Sequence, residues 1–140
     1  KHAGMMVPAP VQVAMQCALG DTEHVQVQRE IYARRRSQLV DAVAATGLER
    51  DCDSAAGLYL WVRDPRGVMN SWDLVAAFAE RGIVVAPGDF YGEAGVGFVR
   101  IALTASDERI AAACQRLVAE PIVEISSRPA SASAPIDRSI

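Results

Sequence analysis

Arg100 is the residue whose surroundings most need a chemical explanation. It lies in VVAPGDFYGEAGVGFVRIALT, residues 84–104, among Phe98, Val99, Ile101 and Leu103. An arginine inside an apolar run is costly unless it is solvated or meets an anion. As a strand, residues 98–103 alternate sides, so Phe98, Arg100 and Ala102 share one face and Val99, Ile101 and Leu103 the other. The second set is uniformly apolar, so Arg100 projects from the opposite face. A guanidinium held on a strand can grip a carboxylate through two parallel hydrogen bonds. An edge-strand arginine pointing into water, or paired with a local acid, accounts for the same pattern. The residues alone leave both readings open.

Other candidate chemistry is sparse. Glycines 88, 92, 95 and 97 suggest a phosphate cradle, but such a loop must open a helix so that the helix N-terminus faces the anion. This loop opens a strand. Pro87-Gly88 reads as a turn, and Asp89, Tyr91 and Glu93 either line a pocket or are ordinary loop polarity. Only His2 and His24 are present, with no Ser/His/Asp or Cys/His pairing at a recognisable spacing, so no catalytic residue is assigned. Cys17, Cys52 and Cys114 are far apart and form no CxxC pair, which argues against a metal site and for free thiols in a reducing cytoplasm. Lys1 is the only lysine, on a lead-in rather than in the desolvated pocket that activates an amine nucleophile.

The elements that must position Arg100 follow from caps and periodicity. Pro8 and Pro10 make residues 1–10 an extended lead-in. Val11 to Leu19 reads as a helix stopped by Gly20 at C′. Asp21 or Thr22 caps a long helix ending near Gly47, with Val25, Ile31, Tyr32, Leu39 and Val43 at helical spacing. Its Arg34-Arg35-Arg36 run fans over about 200 degrees, which implies a solvated face rather than one anion patch. Residues 57–62 (GLYLWV) form a strand before the turn sequence Asp64-Pro65-Arg66-Gly67. Ser71 caps a helix from Trp72 to Arg81, ended by Gly82, and Ile83 to Ala86 is a short strand antiparallel to the Arg100 strand. Ser106 caps a last helix through Val118, burying Ile110, Ala113, Cys114 and Leu117. The order implies an α+β fold: a small mixed sheet of three to four strands with helices on one face.

The 140 residues, 51% hydrophobic, suffice for one packed domain. A net charge of −3 argues against general nucleic-acid affinity, and no apolar run approaches the roughly 20 residues that span a bilayer. KHAGMMVPAP lacks the apolar core and cleavage site of a signal peptide. The chain opens on Lys1 without an initiating Met, and we treat it as a piece of something larger. Residues 123–140, with SSRPASASAPIDRSI from Ser126, read as a disordered tail.

Together these segments resemble the C-terminal small domain of class I/II, fold-type I, pyridoxal-phosphate aminotransferases. MVPAPVQVAMQCAL resembles the entry into that domain, LYLWV its central strand, and GIVVAPGDFYGEAGVGFVRIALT its Pro-Gly, aromatic, Gly and Arg-bearing strand pattern. The wording most resembles succinyldiaminopimelate aminotransferases of the lysine and diaminopimelate pathway. The resemblance implies that residues 1–20 join an absent large domain, that residues 21–122 are the small domain, and that Arg100 binds a substrate α-carboxylate. It places Tyr91 at the substrate entrance, and Met5 to Val7 near the entrance of this subunit or of its partner in a homodimer. It implies amino-acid and keto-acid substrates, and pyridoxal 5′-phosphate held by large-domain groups this chain lacks. Lys1 is not in the family's lysine context, so the chain alone is expected to be inactive. A non-catalytic α/β ligand- or partner-binding module, and an inactive truncated remnant, are the alternatives.

Overall fold

A computed structural model describes residues 6–123. Lys1, His2, Met5 and the tail from residue 124 onward lie outside them. Helix α1 is Ala9–Gly20, α2 Thr22–Ala45, α3 Ser71–Glu80 and α4 Asp107–Ala119. Strands β1 (Glu49–Arg50), β2 (Tyr59–Arg63), β3 (Ala86–Pro87) and β4 (Phe98–Ala102) form one sheet in the order β1-β2-β4-β3. The α+β class is as expected, but every pairing is antiparallel, so the sheet is not mixed. The polar pair β1 carries no apolar alternation to announce it.

Alternation along β2 and β4 decides which face is dry. Leu60, Val62, Val99, Ile101 and Leu103 are buried against Leu39, Ala42 and Val43 of α2, Leu74 and Phe78 of α3, and Ile110 and Leu117 of α4. All three helices therefore pack on one face, and Arg100 stands on the other. Ala113 and Cys114, expected on the buried stripe of α4, are only half-buried. Val25 is 44% exposed, because the core contacts of α2 begin only near Ile31. No residue of α1 is buried. Among the described residues no helix is long and apolar enough to cross a membrane.

Several boundaries correct the sequence reading. Gly47 and Gly82 follow their helices with φ 78 and 66, as glycine terminators should, whereas Gly20 is the last residue of α1 and is not left-handed. Asp21 caps α2 by accepting from the backbone of Glu23 and His24. Asn70, not Ser71, caps α3: its side chain accepts from Trp72 and Asp73, and the Asp73 carboxylate accepts from the Asn70 N–H. That frees the buried Ser71 hydroxyl to accept from Gly97 N–H at 2.9 Å, tying α3 to the start of β4. The strand expected at 83–86 is instead the two residues Ala86–Pro87, so Pro87, read as part of a turn, pairs with Val99. Val123 belongs to the core rather than the tail, its N–H donating to Thr46 O at 2.9 Å.

Arg34, Arg35 and Arg36 are not a purely solvated face. Arg34 and Arg35 both donate to the Asp107 carboxylate, which holds that group below its ordinary pKa, the Arg35 bond foremost. Arg35, with only 13% of its side chain exposed, also reaches Leu103 O, while Arg36 donates to Ser54 O and Gly57 O at 2.7 and 2.6 Å. Arg34 and Arg35 thus converge on one carboxylate, against the expected fan, while Arg36 holds the segment before β2.

The turn after β2 depends on Asp64, whose side chain is fully buried. It accepts from the backbone N–H groups of Arg66, Val68 and Met69 and from the Arg66 guanidinium. Those bonds, the Arg66 side chain first, lower its pKa from 3.8 to about 2. With the folded value depressed, its stabilisation is complete above the unfolded value and is lost as pH falls through the folded one. Asp64→Ala strands buried donors, so unfolding stability should fall by about 1–3 kcal/mol at neutral pH. In urea melts the gap between variant and parent should close as pH drops from about 4 toward 2; a gap that persists there would refute this role.

Candidate functional site

The open face of the sheet is aromatic and cationic. β2 presents Tyr59, Trp61 and Arg63, and β4 presents Phe98, Arg100 and Ala102, with Trp61 opposite Arg100 and Arg63 opposite Phe98. Trp61 is fixed through its backbone, its C=O accepting from Asp51 N–H at 2.9 Å and its N–H donating to Ser54 Oγ at 3.0 Å. Both bonds lie on the β1 side of β2, and β4 pairs along its other edge.

Arg100 lies between two tyrosines. Its Cζ is 4.0 Å from the Tyr59 ring centroid and 4.6 Å from that of Tyr91. Such contacts contribute roughly 0.5–2 kcal/mol each as the guanidinium loses water. Its Nε is buried without a hydrogen-bond partner. No acid among the described residues pairs with Arg100, which removes the local-acid reading of the sequence. A guanidinium without an acid partner can donate two parallel hydrogen bonds to a planar anion.

Tyr91 arrives from the glycine loop. Residues Gly88–Tyr91 and Glu93–Gly95 are two short 3-10 turns leading into β4, so the loop opens a strand and no helix, as expected. Gly88 and Gly95 are buried against each other's backbone. A Cβ on Gly88 would overlap the Gly95 carbonyl and stand 2.8 Å from Phe98 O. This close approach folds the loop back so that the Tyr91 ring meets Trp61 edge to face at 5.3 Å. Asp89 and Glu93 are exposed and do not border the recess beside Trp61.

That recess, about 200 Å³, is lined by Asp51, Trp61, Tyr91, Ala94, Gly95 and Phe98. A larger hollow of about 630 Å³ lies between α4 and residues 82–84, floored by core residues such as Leu39 and Phe78; Arg100 does not line it. Asp51, Cys52 and Asp53 place ligand-type atoms within 4.8 Å of one another, and the Asp53 N–H bond to Asp51 Oδ1 accounts for that clustering. Cys17 and Cys52 are exposed free thiols; burial pushes the half-buried Cys114 thiol up.

Tyr91 and Arg100, singled out from sequence, are thus brought together. Tyr59 and Trp61 were not singled out. Alternation in LYLWV puts them on one face, but only the β2–β4 register aligns that face with Arg100.

Residues 2–117 match the family model for class I and II aminotransferases. The chain is 56% identical over 117 residues to a probable aminotransferase of Mycobacterium tuberculosis, covering 84% of this chain and 27% of that protein. It is 54% identical to the 4-dedimethylamino-4-oxo-anhydrotetracycline transaminase of Streptomyces rimosus, covering 84% of this chain and 32% of that protein. Among solved structures, a probable N-succinyldiaminopimelate aminotransferase of Thermus thermophilus superposes with a TM-score of 0.61 at 30% identity, over 71% of this chain and 26% of that one. This chain belongs to the class I and II aminotransferases, which are pyridoxal-phosphate enzymes. It spans about a quarter to a third of the length of these relatives.

The residues described here do not fit the cofactor itself. They include no lysine, since Lys1 is the chain's only one and lies outside them.

Because Gly88 and Gly95 touch through their backbones, Gly88→Ala should lower stability by about 1–3 kcal/mol through overpacking. It should also move Tyr91 away from Trp61, read as a changed near-ultraviolet circular dichroism signal. An unchanged signal and melting temperature would show that the close approach is not needed.

Proposed function

We propose that this chain is the substrate-carboxylate half of a pyridoxal-phosphate aminotransferase, with Arg100 gripping the α-carboxylate of the amino acid or keto acid. The observation that carries this reading is the guanidinium stacked between Tyr59 and Tyr91 without an acid partner among the described residues. Bound there, the acid end of the substrate is fixed against a strand, and the reacting carbon is held in one orientation. Tyr91 borders the entrance and Tyr59 closes the other side of the cation. The cofactor, when bound by the rest of the enzyme, supplies the electron sink for amino-group exchange.

The finer parts of the reading follow from the relatives. Likeness to an N-succinyldiaminopimelate aminotransferase favours a place in lysine and diaminopimelate biosynthesis. In the whole enzyme we place a large domain ahead of this one, a homodimer, and a cytoplasmic location. The apolar side chains that α1 exposes, among them Val11, Val13, Met15 and Leu19, fit the junction to that large domain. Met6 and Val7, also exposed, fit the entrance side. Alone, the chain should neither hold the cofactor nor transaminate.

In the full-length enzyme, Arg100→Ala should lower kcat/KM about 100-fold, on the order of 2–4 kcal/mol for an unpaired buried carboxylate. Arg100→Lys should restore little, because an ammonium lacks the planar fork. Steady-state kinetics check both, with melting temperatures to show that the variants fold. Undiminished turnover in Arg100→Ala would remove the assignment.

A further inference from the structure

Resting on the reading of Arg100 as carboxylate anchor, we propose that Trp72 is a positioning residue: it clasps Phe90 and so holds Tyr91 over the guanidinium. Trp72 and Phe90 are 56% and 68% exposed and stand outside the core, yet their rings meet edge to face at 5.8 Å and 76°. Burial does not explain such a pair. The loop that carries Phe90 does.

That loop is fixed at its base, where Gly88 and Gly95 touch, and at its exit, where Gly97 donates to Ser71. Between those points its hydrogen bonds stay local. Gly92 N–H reaches Asp89 O, Gly95 N–H reaches Gly92 O and Val96 N–H reaches Glu93 O, and among the described residues none ties residues 89–94 to another element. What ties the tip outward is its two rings. Consecutive residues of a 3-10 turn point about 120 degrees apart. Phe90 accordingly meets Trp72 of α3, while Tyr91 meets Trp61 at 5.3 Å and the Arg100 Cζ at 4.6 Å. The tip is gripped from both sides, and Phe90 is the covalent neighbour of the ring that covers the anchor.

Trp72 is a firm post for that grip. It is the second residue of α3, its N–H donates to the Asn70 cap at 2.8 Å, and Ser71 and Leu74 beside it are buried. Edge-to-face pairs depend on ring geometry, so a phenylalanine at this position keeps the clasp and an alanine releases it. Once released, Tyr91 covers the guanidinium for less of the time, and an arriving carboxylate must order its own anchor.

The test uses the full-length, cofactor-loaded enzyme with 3-fluorotyrosine incorporated at position 91 and read by fluorine NMR. Maleate, an unreactive acid, is the binding probe, titrated by calorimetry. Trp72→Ala and Phe90→Ala should each move or broaden the fluorine resonance and weaken maleate about three- to tenfold, the range an aromatic pair supplies. Because both break one contact, the double variant should be no worse than either alone. Trp72→Phe should keep the parental resonance and affinity. Melting temperatures should hold within about 2 °C, since both rings are largely exposed. A resonance unmoved in Trp72→Ala, or moved with maleate affinity unchanged, overturns the proposal. So does a melting temperature lowered by several degrees with the resonance unmoved, which would make the rings a seat for another part of the enzyme. Arg100→Ala separates the two readings: if it leaves maleate binding intact the anchor fails, while the resonance still decides whether the clasp sets Tyr91.

Discussion

A guanidinium set into an apolar strand and covered on both sides by tyrosine rings is the constraint around which this domain is arranged. Taking a cation from water is expensive, and the Arg100 Nε, buried and unpartnered, shows that part of the cost is incurred in full. The Tyr59 and Tyr91 faces offset some of it while leaving no carboxylate in the way. An arginine satisfied by an internal acid would be more stable and would have nothing left for a ligand. Here stability is traded for an unpaired charge held in one orientation, the compromise expected of a binding group.

Two separate devices hold those rings. Tyr59 is placed by the register of β2 on β4, with each strand burying its other face in the core. Tyr91 is placed by a loop that turns back because Gly88 and Gly95 have no side chains to keep their backbones apart. Ser71 fastens the end of that loop to α3 through Gly97. Behind the sheet, Arg35 and Arg36 reach from α2 to the carbonyls of Leu103, Ser54 and Gly57, beyond the ends of β4 and β2. These carbonyls lie together at one end of the antiparallel pair, where Tyr59 faces Ala102, and Ser71 braces the other end through Gly97; long guanidinium arms suit such bracing because each spans elements and donates several bonds.

Much of this was legible in the residues. The dry face of β4 follows from strict alternation, and the caps at Asp21 and Ser106 follow from side chains that compete for helix N–H groups. The rest depended on information local patterns do not carry. Asn70 and Ser71 both have capping chemistry, and only the tertiary need of Gly97 for an acceptor decides between them. Consecutive arginines look solvated until partners 68 to 73 residues away are folded against them. Most tellingly, Tyr59 and Trp61 are ordinary strand residues until register sets them beside Arg100, which no single segment can state.

The asymmetry of the sheet explains how one small domain serves two demands at once. Helices cover one face so thoroughly that Leu60, Val62, Val99 and Leu103 have no measurable exposure. That dry side makes the strands rigid. Because side chains alternate, every residue that fixes the strand from below fixes its neighbour above. Arg100 sits between Val99 and Ile101, both locked in the core, so its backbone cannot shift without disturbing them. A loop-borne arginine would have to be ordered anew each time a ligand arrived, at an entropic cost. On this strand that ordering is done by folding, and the open face keeps only the freedom of side-chain ends. The same logic places Tyr59 and Trp61 on a strand, and Tyr91 on a loop held by the Gly88–Gly95 approach and by Ser71, so that the rings around the guanidinium do not yield.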